Sequence, residues 1–258
     1  MQFTPSFTGL LNAVLVAFSI SAHVHAAPTD LGDTVVDAHQ PLNASSGPVE
    51  YETFDVRFLN LTARADPEPR VINVPLQAYQ VLGQDAGYLM GVKLGTQPQI
   101  TPMLADSGSG TFWAVSEDSP QKGNRRGYGP KSSSTYEDLQ RTWSIRYGDG
   151  SEASGPVAKD SVTVSRLDPM AGFAIGVGET LTGQLITAPY GGIAGFSNGK
   201  LGGPTRTGGI TLLEGLTTSK LVPKNVVGIT LGRGANGAAG TGQITLGGSN
   251  ADKYQTGA

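Results

Sequence analysis

The sequence predicts an all-β domain, and three observations carry that expectation. Charged residues make up only 15% of the 258, while glycine reaches 37 and proline 16, a balance that suits many turns between short strands. Short β-branched runs recur, as in Asp160-Ser-Val-Thr-Val-Ser165, Asn225-Val-Val-Gly-Ile-Thr-Leu231 and Gln243-Ile-Thr-Leu246. Trp143-Ser-Ile-Arg-Tyr147 alternates and then breaks at Gly148-Asp149-Gly150, a strong hairpin signal. A hydrophobic content of 38% is enough for a core.

Taken in order along the chain, the first 26 residues read as a signal peptide. Leu10–Ile20 is an apolar run too short to span a bilayer, and Val24-His-Ala26 is a small-x-small cleavage pattern leaving Ala27 as the new terminus. The stretch ahead of that run carries no Lys or Arg, which is a weak point of this reading. No later segment is apolar for long enough to be transmembrane, so a secreted, extracellular or vacuolar location is expected, with no membrane partner.

Residues 27–76 differ in character from the chain beyond them. They begin polar and without periodicity, pass through a possible strand at Tyr51–Leu59, and end in Ala63-Arg-Ala-Asp-Pro-Glu-Pro-Arg70, an exposed linker pattern. Asn43-Ala-Ser45 and Asn60-Leu-Thr62 are glycosylation sequons. A removable pro-segment, giving a zymogen, and an N-terminal extension both fit. From Val74 onward the pattern is strands and turns. Ile210–Leu221 alone offers a short helical pattern, weakened by Gly215. Gly232-Arg-Gly234-Ala-Asn-Gly237 matches a dinucleotide-loop pattern, but it runs into another strand-like segment and reads as a hairpin loop.

Composition removes several chemistries. A formal net charge of -3 gives no basic field, so no nucleic-acid partner is expected. There are no cysteines, which leaves no thiol nucleophile, disulfide or cysteine metal site. The three histidines, His23, His25 and His39, all precede position 40, so a Ser-His-Asp triad or a histidine metal site in the later chain is excluded. No cofactor and no metal are expected. Catalysis here must rest on carboxylates, hydroxyls, lysine or backbone.

Met103-Leu-Ala-Asp106-Ser-Gly-Ser-Gly-Thr-Phe-Trp113 then stands out. It sets one carboxylate at the end of an apolar run, where it must find hydrogen-bond donors or shift its pKa. A plain turn is one reading, because Asp, Ser and Gly are turn residues. The surroundings favour another. Gly91-Val-Lys-Leu-Gly-Thr-Gln-Pro-Gln99 precedes the motif. After it come Ser132-Ser-Ser-Thr-Tyr136, Trp143–Ser151 and Tyr190-Gly-Gly-Ile-Ala-Gly-Phe196.

In this order the segments resemble the N-terminal lobe of pepsin-like aspartic peptidases, most nearly the secreted fungal ones, over about residues 77–258. The resemblance implies closed or bent β-sheets, a flap hairpin and one or two short helices, with the second lobe absent from the sequence. It implies that Asp106 is catalytic. Ser107 stands where the family usually has Thr, whose hydroxyl ties the two lobes. Gly108 lets backbone approach the carboxylate, and Ser109 bonds to its outer oxygen. Tyr147, with Gly148 and Asp149, belongs to the flap over the substrate, and Trp113 bonds to the tyrosine. Gly192-Ile-Ala-Gly195 packs under the catalytic loop.

Ala105, Gly110-Thr111 and Gly191 depart from the family pattern without removing a proton-transfer group. The larger departure is that no second Asp-[Ser/Thr]-Gly comes after Asp106. The chemistry needs two carboxylates sharing one proton, the established behaviour of aspartic peptidases. A lone, water-accessible Asp106 is expected to titrate like an ordinary Asp, on a surface exposed for want of its partner lobe. The readings are then a secreted aspartic endopeptidase acting on proteins or peptides at acidic pH and known here by one lobe, a single-lobe homodimer with two copies of Asp106, or an inactive remnant or peptide-binding module. An unrelated secreted β-protein is the remaining possibility.

Overall fold

Two long strands and the hairpin between them start the fold: β1 (Ile72–Val81) runs antiparallel to β2 (Gln84–Leu94), with Gln77 opposite Leu89. The computed structural model describes residues 68–82, 84–197, 205–232 and 239–253. The signal segment, the Tyr51–Leu59 run and both sequons lie outside them.

The strands join in a single mixed sheet. β3 (Thr101–Asp106) pairs with β2 on one side and, in parallel, with β9 (Gly192–Gly195) on the other. β4 (Phe112–Val115) lies next to β9 and runs parallel to β7 (Met170–Gly178). The long β6 (Glu152–Val164) pairs with β7 and with β5 (Glu137–Arg146). Because β2 also pairs with β6, at Val92 opposite Val164, the path β2-β3-β9-β4-β7-β6 closes on itself. Closure removes two edges. The remaining strands extend the sheet beyond the ring: β8 (Thr180–Leu181) on β6, and β10 (Val227–Leu231) with β11 (Thr241–Leu246) outside β1. This all-β lobe matches the expected fold class.

β3 and β4 are buried along their whole length, which is why they read as continuous apolar runs. Two apolar clusters result. The larger contains Met90, Val92, Met103, Phe112 and Ile175, and the other Leu89, Leu104, Trp113, Trp143 and Ile193. Leu212–Thr218 forms the helix α1, shorter than the pattern suggested. Thr211 and Glu214 close a capping box at its start, with the Thr211 N–H donating to Glu214 Oε2 at 2.8 Å. Gly215, poor in a helix, is needed here: a Cβ would sit 2.5 Å from Met170 Sδ. β10 and β11 flank the Gly232–Gly237 stretch as an antiparallel hairpin, as its sequence context implied.

The boundary expected between 76 and 77 falls inside β1. Residues Ile72–Leu76 pair in register with Gly242–Leu246 of β11 and so belong to the sheet.

Candidate active site

Asp106 is the last residue of β3, between β2 and β9, where the chain leaves the sheet and turns. The backbone fixes that turn first. The Phe196 N–H donates to the Asp106 carbonyl at 2.6 Å, and the Ser197 N–H to the Ser109 carbonyl at 3.0 Å. The segment after β9 therefore grips both ends of the Asp-Ser-Gly-Ser loop. Gly195 allows this approach, since a Cβ there would lie 2.6 Å from the Ser109 carbonyl oxygen.

Within the turn the carboxylate is satisfied locally. The Gly108 N–H donates to Oδ1 at 2.8 Å, and the Ser109 hydroxyl donates to Oδ2 at 2.6 Å. Asp106 is only 4% exposed, and burial raises its pKa above the ordinary value, against the opposing effect of the Ser109 and Gly108 donors. This corrects two expectations. The carboxylate does not titrate like an ordinary Asp, and its own lobe buries it without a partner. Ser107 and Ser109 are half-buried, and Gly108 is exposed.

Tyr147 approaches from the β5–β6 hairpin. Its N–H donates to the Ser151 carbonyl at 2.8 Å, so the exposed tip is Gly148-Asp149-Gly150 and the tyrosine lies half-buried below it. The indole N–H of Trp113, fully buried on β4, donates to the Tyr147 hydroxyl at 2.7 Å. Trp113 and Tyr147 form one hydrogen-bonded pair and Ser109 and Asp106 another. The Ser109 side chain lies close enough to the Tyr147 hydroxyl to lower its pKa against the larger effect of burial. Burial, more than the charges of Asp106 and Asp149, pushes the Tyr147 pKa up, so this phenol stays neutral. Asp149 turns inward on its own hairpin, accepting from the Ser151 N–H at 2.9 Å and its hydroxyl at 2.8 Å.

Sequence reasoning gave no role to three neighbours. Trp143 packs against Trp113, ring centroids 5.7 Å apart, and donates its indole N–H to the Val177 carbonyl. Tyr190 is 7% exposed, 5.8 Å from the Tyr79 ring, and burial together with Tyr79, Tyr147 and Asp106 raises its pKa. A Tyr immediately before Gly-Gly-Ile-Ala-Gly was the available signal. Among the described residues no group of three or more His, Cys, Asp or Glu is placed to hold a metal, and no helix is long and apolar enough to cross a membrane.

The Trp113–Tyr147 bond has a measurable worth. Tyr147→Phe removes the acceptor of a buried indole N–H, so unfolding free energy is expected to fall by about 1–3 kcal/mol with a shifted tryptophan emission. An unchanged urea midpoint and spectrum would show that Trp113 finds another acceptor.

A buried carboxylate at a strand end, held by the donors of its own turn, with a tyrosine hairpin nearby, defines the class: an all-β lobe that presents one buried aspartate at the end of a sheet strand. The profile of eukaryotic aspartyl proteases matches residues 87–258. Rhizopuspepsin of Rhizopus chinensis is 33% identical over 190 residues, spanning 73% of this chain and 46% of its own length. Syncephapepsin of Syncephalastrum racemosum is 31% identical over 177 residues, spanning 65% and 41%. The aspartic proteinase of Irpex lacteus, at 24% identity and a TM-score of 0.58, covers 73% of this chain and 51% of that one, and shares the fold. The chain belongs to the eukaryotic aspartyl protease family. It spans less than half the length of the two curated relatives.

Proposed function

We propose that this chain supplies the Asp106 half of an aspartic endopeptidase that hydrolyses peptide bonds in proteins or peptides at acidic pH. The observation that carries this reading is the Asp106 carboxylate, 4% exposed and held by the Gly108 N–H and the Ser109 hydroxyl. Catalysis needs a second carboxyl group within reach of the same water, from further sequence or from a second copy of this chain.

With such a pair, the ionised member takes a proton from water as the water oxygen attacks the peptide carbonyl carbon. The protonated member gives its proton to the carbonyl oxygen. Collapse of the tetrahedral intermediate then breaks the C–N bond, and the amine leaves with a proton. Mutual repulsion keeps the pair singly ionised, which places activity in the acid range. Ser109 and the Gly108 N–H hold the Asp106 oxygens in place, and Trp113 holds Tyr147 above them. Ser107 stands beside this carboxylate at the surface through which a partner lobe would approach.

The same reading places residues 1–26 in a signal peptide and the segment from 27 in a pro-segment, with a secreted or vacuolar enzyme as the product. The pairing of Ile72 with Leu246 supports release of the pro-segment before Ile72.

The test is size-resolved. Fractions of the purified 258-residue chain, sized by light scattering, are incubated at acidic pH with a denatured protein substrate, and new termini are read by mass spectrometry. The expected result is no cleavage from a monomer and cleavage only from a species holding two carboxylates. Cleavage co-eluting with a monomer and lost in Asp106→Asn would overturn the two-carboxylate requirement. No cleavage in any species, even when completed by a partner lobe, would leave a peptide-binding role.

A further inference from the structure

Arg125 has no part in the family motif, yet it is 6% exposed in a segment, Gln121-Lys-Gly-Asn-Arg-Arg126, that reads as a solvated basic loop. Its guanidinium spreads over four main-chain carbonyls. Nε donates to Lys122 at 2.9 Å, Nη1 to Leu185 at 2.7 Å, and Nη2 to Ile186 at 3.1 Å and to Gln121. Two acceptors lie in its own loop and two lie sixty residues later, so one side chain fastens two segments in a chain with no cysteine. Only a planar fork reaches four acceptors in this way.

The far segment is the brace of the flap. Leu185 and Ile186 end the 3-10 turn Gly183–Ile186. At the front of that turn the Gln184 N–H donates to the Ser151 hydroxyl at 3.0 Å, the same hydroxyl that donates to Asp149 in the hairpin tip. Next to it, the Glu152 N–H donates to Thr182 Oγ1 at 2.9 Å, and the Thr182 N–H to the Glu152 carbonyl at 2.9 Å. β8 meanwhile pairs with Ala153 and Ser154 of the hairpin's second strand. The Leu185 side chain joins the cluster of Trp113, Trp143, Tyr190 and Leu104, against which Tyr147 packs.

We infer that Arg125 is a positioning residue for the flap: its guanidinium fixes the 183–186 turn, and that turn sets where Ser151, Asp149 and Tyr147 stand over Asp106. The inference rests on the peptidase cleft proposed above. Support also comes from Tyr190, whose hydroxyl feels Asp106 and Arg125 with opposite sign, so both charges lie near the same wall. Removing the fork frees four carbonyls and lets the turn move away from the hairpin. A flap loosened in this way binds peptide less tightly and leaves the proton-transfer groups untouched.

The test uses the full chain with Arg125→Met and Arg125→Lys. Amide exchange is followed at 147–152 and 183–188. A peptide with a central phenylalanine is titrated against the emission of Trp113 and Trp143, the chain's two tryptophans. Expected are exchange about 10-fold faster in those two segments of Arg125→Met, peptide binding about 5- to 10-fold weaker, and Arg125→Lys in between. If Arg125→Met does not fold, Arg125→Lys carries the same readouts. Unchanged exchange at 147–152, or exchange that quickens equally across the sheet, overturns the inference. So does unchanged binding by a variant whose turn has loosened. A wild-type chain whose emission ignores the peptide overturns the cleft reading instead, and the exchange difference then decides alone whether Arg125 holds the hairpin.

Discussion

Asp106→Asn is expected to abolish peptide hydrolysis in every species of this protein that shows it, by about 10⁴-fold or more, with the fold retained. The two side chains are nearly isosteric. Asn Oδ1 still accepts from the Gly108 N–H, and its amide can donate to the Ser109 hydroxyl, which then accepts. What disappears is the negative charge that takes a proton from water. The variant also tests the burial effect, with a sign that can be worked out. Because the folded state raises the Asp106 pKa, it binds that proton more tightly than the unfolded chain does. Above the raised pKa, folding carries the cost of burying a charge, and the cost is relieved as pH falls through that pKa. Asp106→Asn should therefore gain stability relative to wild type at neutral pH, and the gap should close in acid. Urea midpoints against pH read the second effect, and mass spectrometry of cleavage products reads the first. Residual hydrolysis at wild-type rate would remove Asp106 from the chemistry.

What the sequence revealed about this site depended on how local each interaction is. The Asp106 turn was legible because its donors, Gly108 and Ser109, lie within three residues of the carboxylate. The β5–β6 hairpin was legible from Gly148-Asp-Gly150 after an alternating strand, and the short helix from the Ile210–Leu221 pattern. Contacts over long separation were not. Nothing in the sequence marks Arg125, since its acceptors on Leu185 and Ile186 are carbonyls, which every residue has. Closure of the sheet through β2 and β6 left no mark either, because Val92 and Val164 are ordinary strand residues. The pairing of Ile72 and Asn73 with β11, more than 170 residues away, left no mark in the sequence for a related reason. Burial of Asp106 was misjudged because the Phe196–Ser197 backbone, which bonds to both ends of its turn, likewise comes from elsewhere in the chain.

Asp160 is the second buried carboxylate of the lobe, and truncating it is expected to cost more stability than any change at Asp106. It is 3% exposed on β6. Four donors converge on it: the Tyr128 hydroxyl at 3.0 Å and the Ser133 hydroxyl at 2.7 Å on Oδ2, the Thr135 hydroxyl at 2.6 Å and the Ser161 N–H at 2.7 Å on Oδ1. The Ser133 hydroxyl in turn accepts from the Thr96 N–H at 3.1 Å, which brings in the turn after β2. Asp106 takes its donors from its own turn, whereas Asp160 ties together segments near 96, 128, 133 and 160. Asp160→Ala strands these donors in a buried space, each worth about 1–3 kcal/mol and not additive, so a loss of about 3–5 kcal/mol is expected. That is a large part of the ~5–15 kcal/mol that holds a domain. Asp160→Asn should lose less, because its oxygen keeps two donors and its amide can face hydroxyls that rotate to accept. The damage should also reach the cleft: the Tyr128 N–H donates to the Val115 carbonyl at 2.8 Å, at the end of the strand that carries Trp113. Tryptophan emission and urea midpoints of the two variants check this. An Asp160→Ala chain that unfolds at the wild-type midpoint would show that water replaces the carboxylate at no cost.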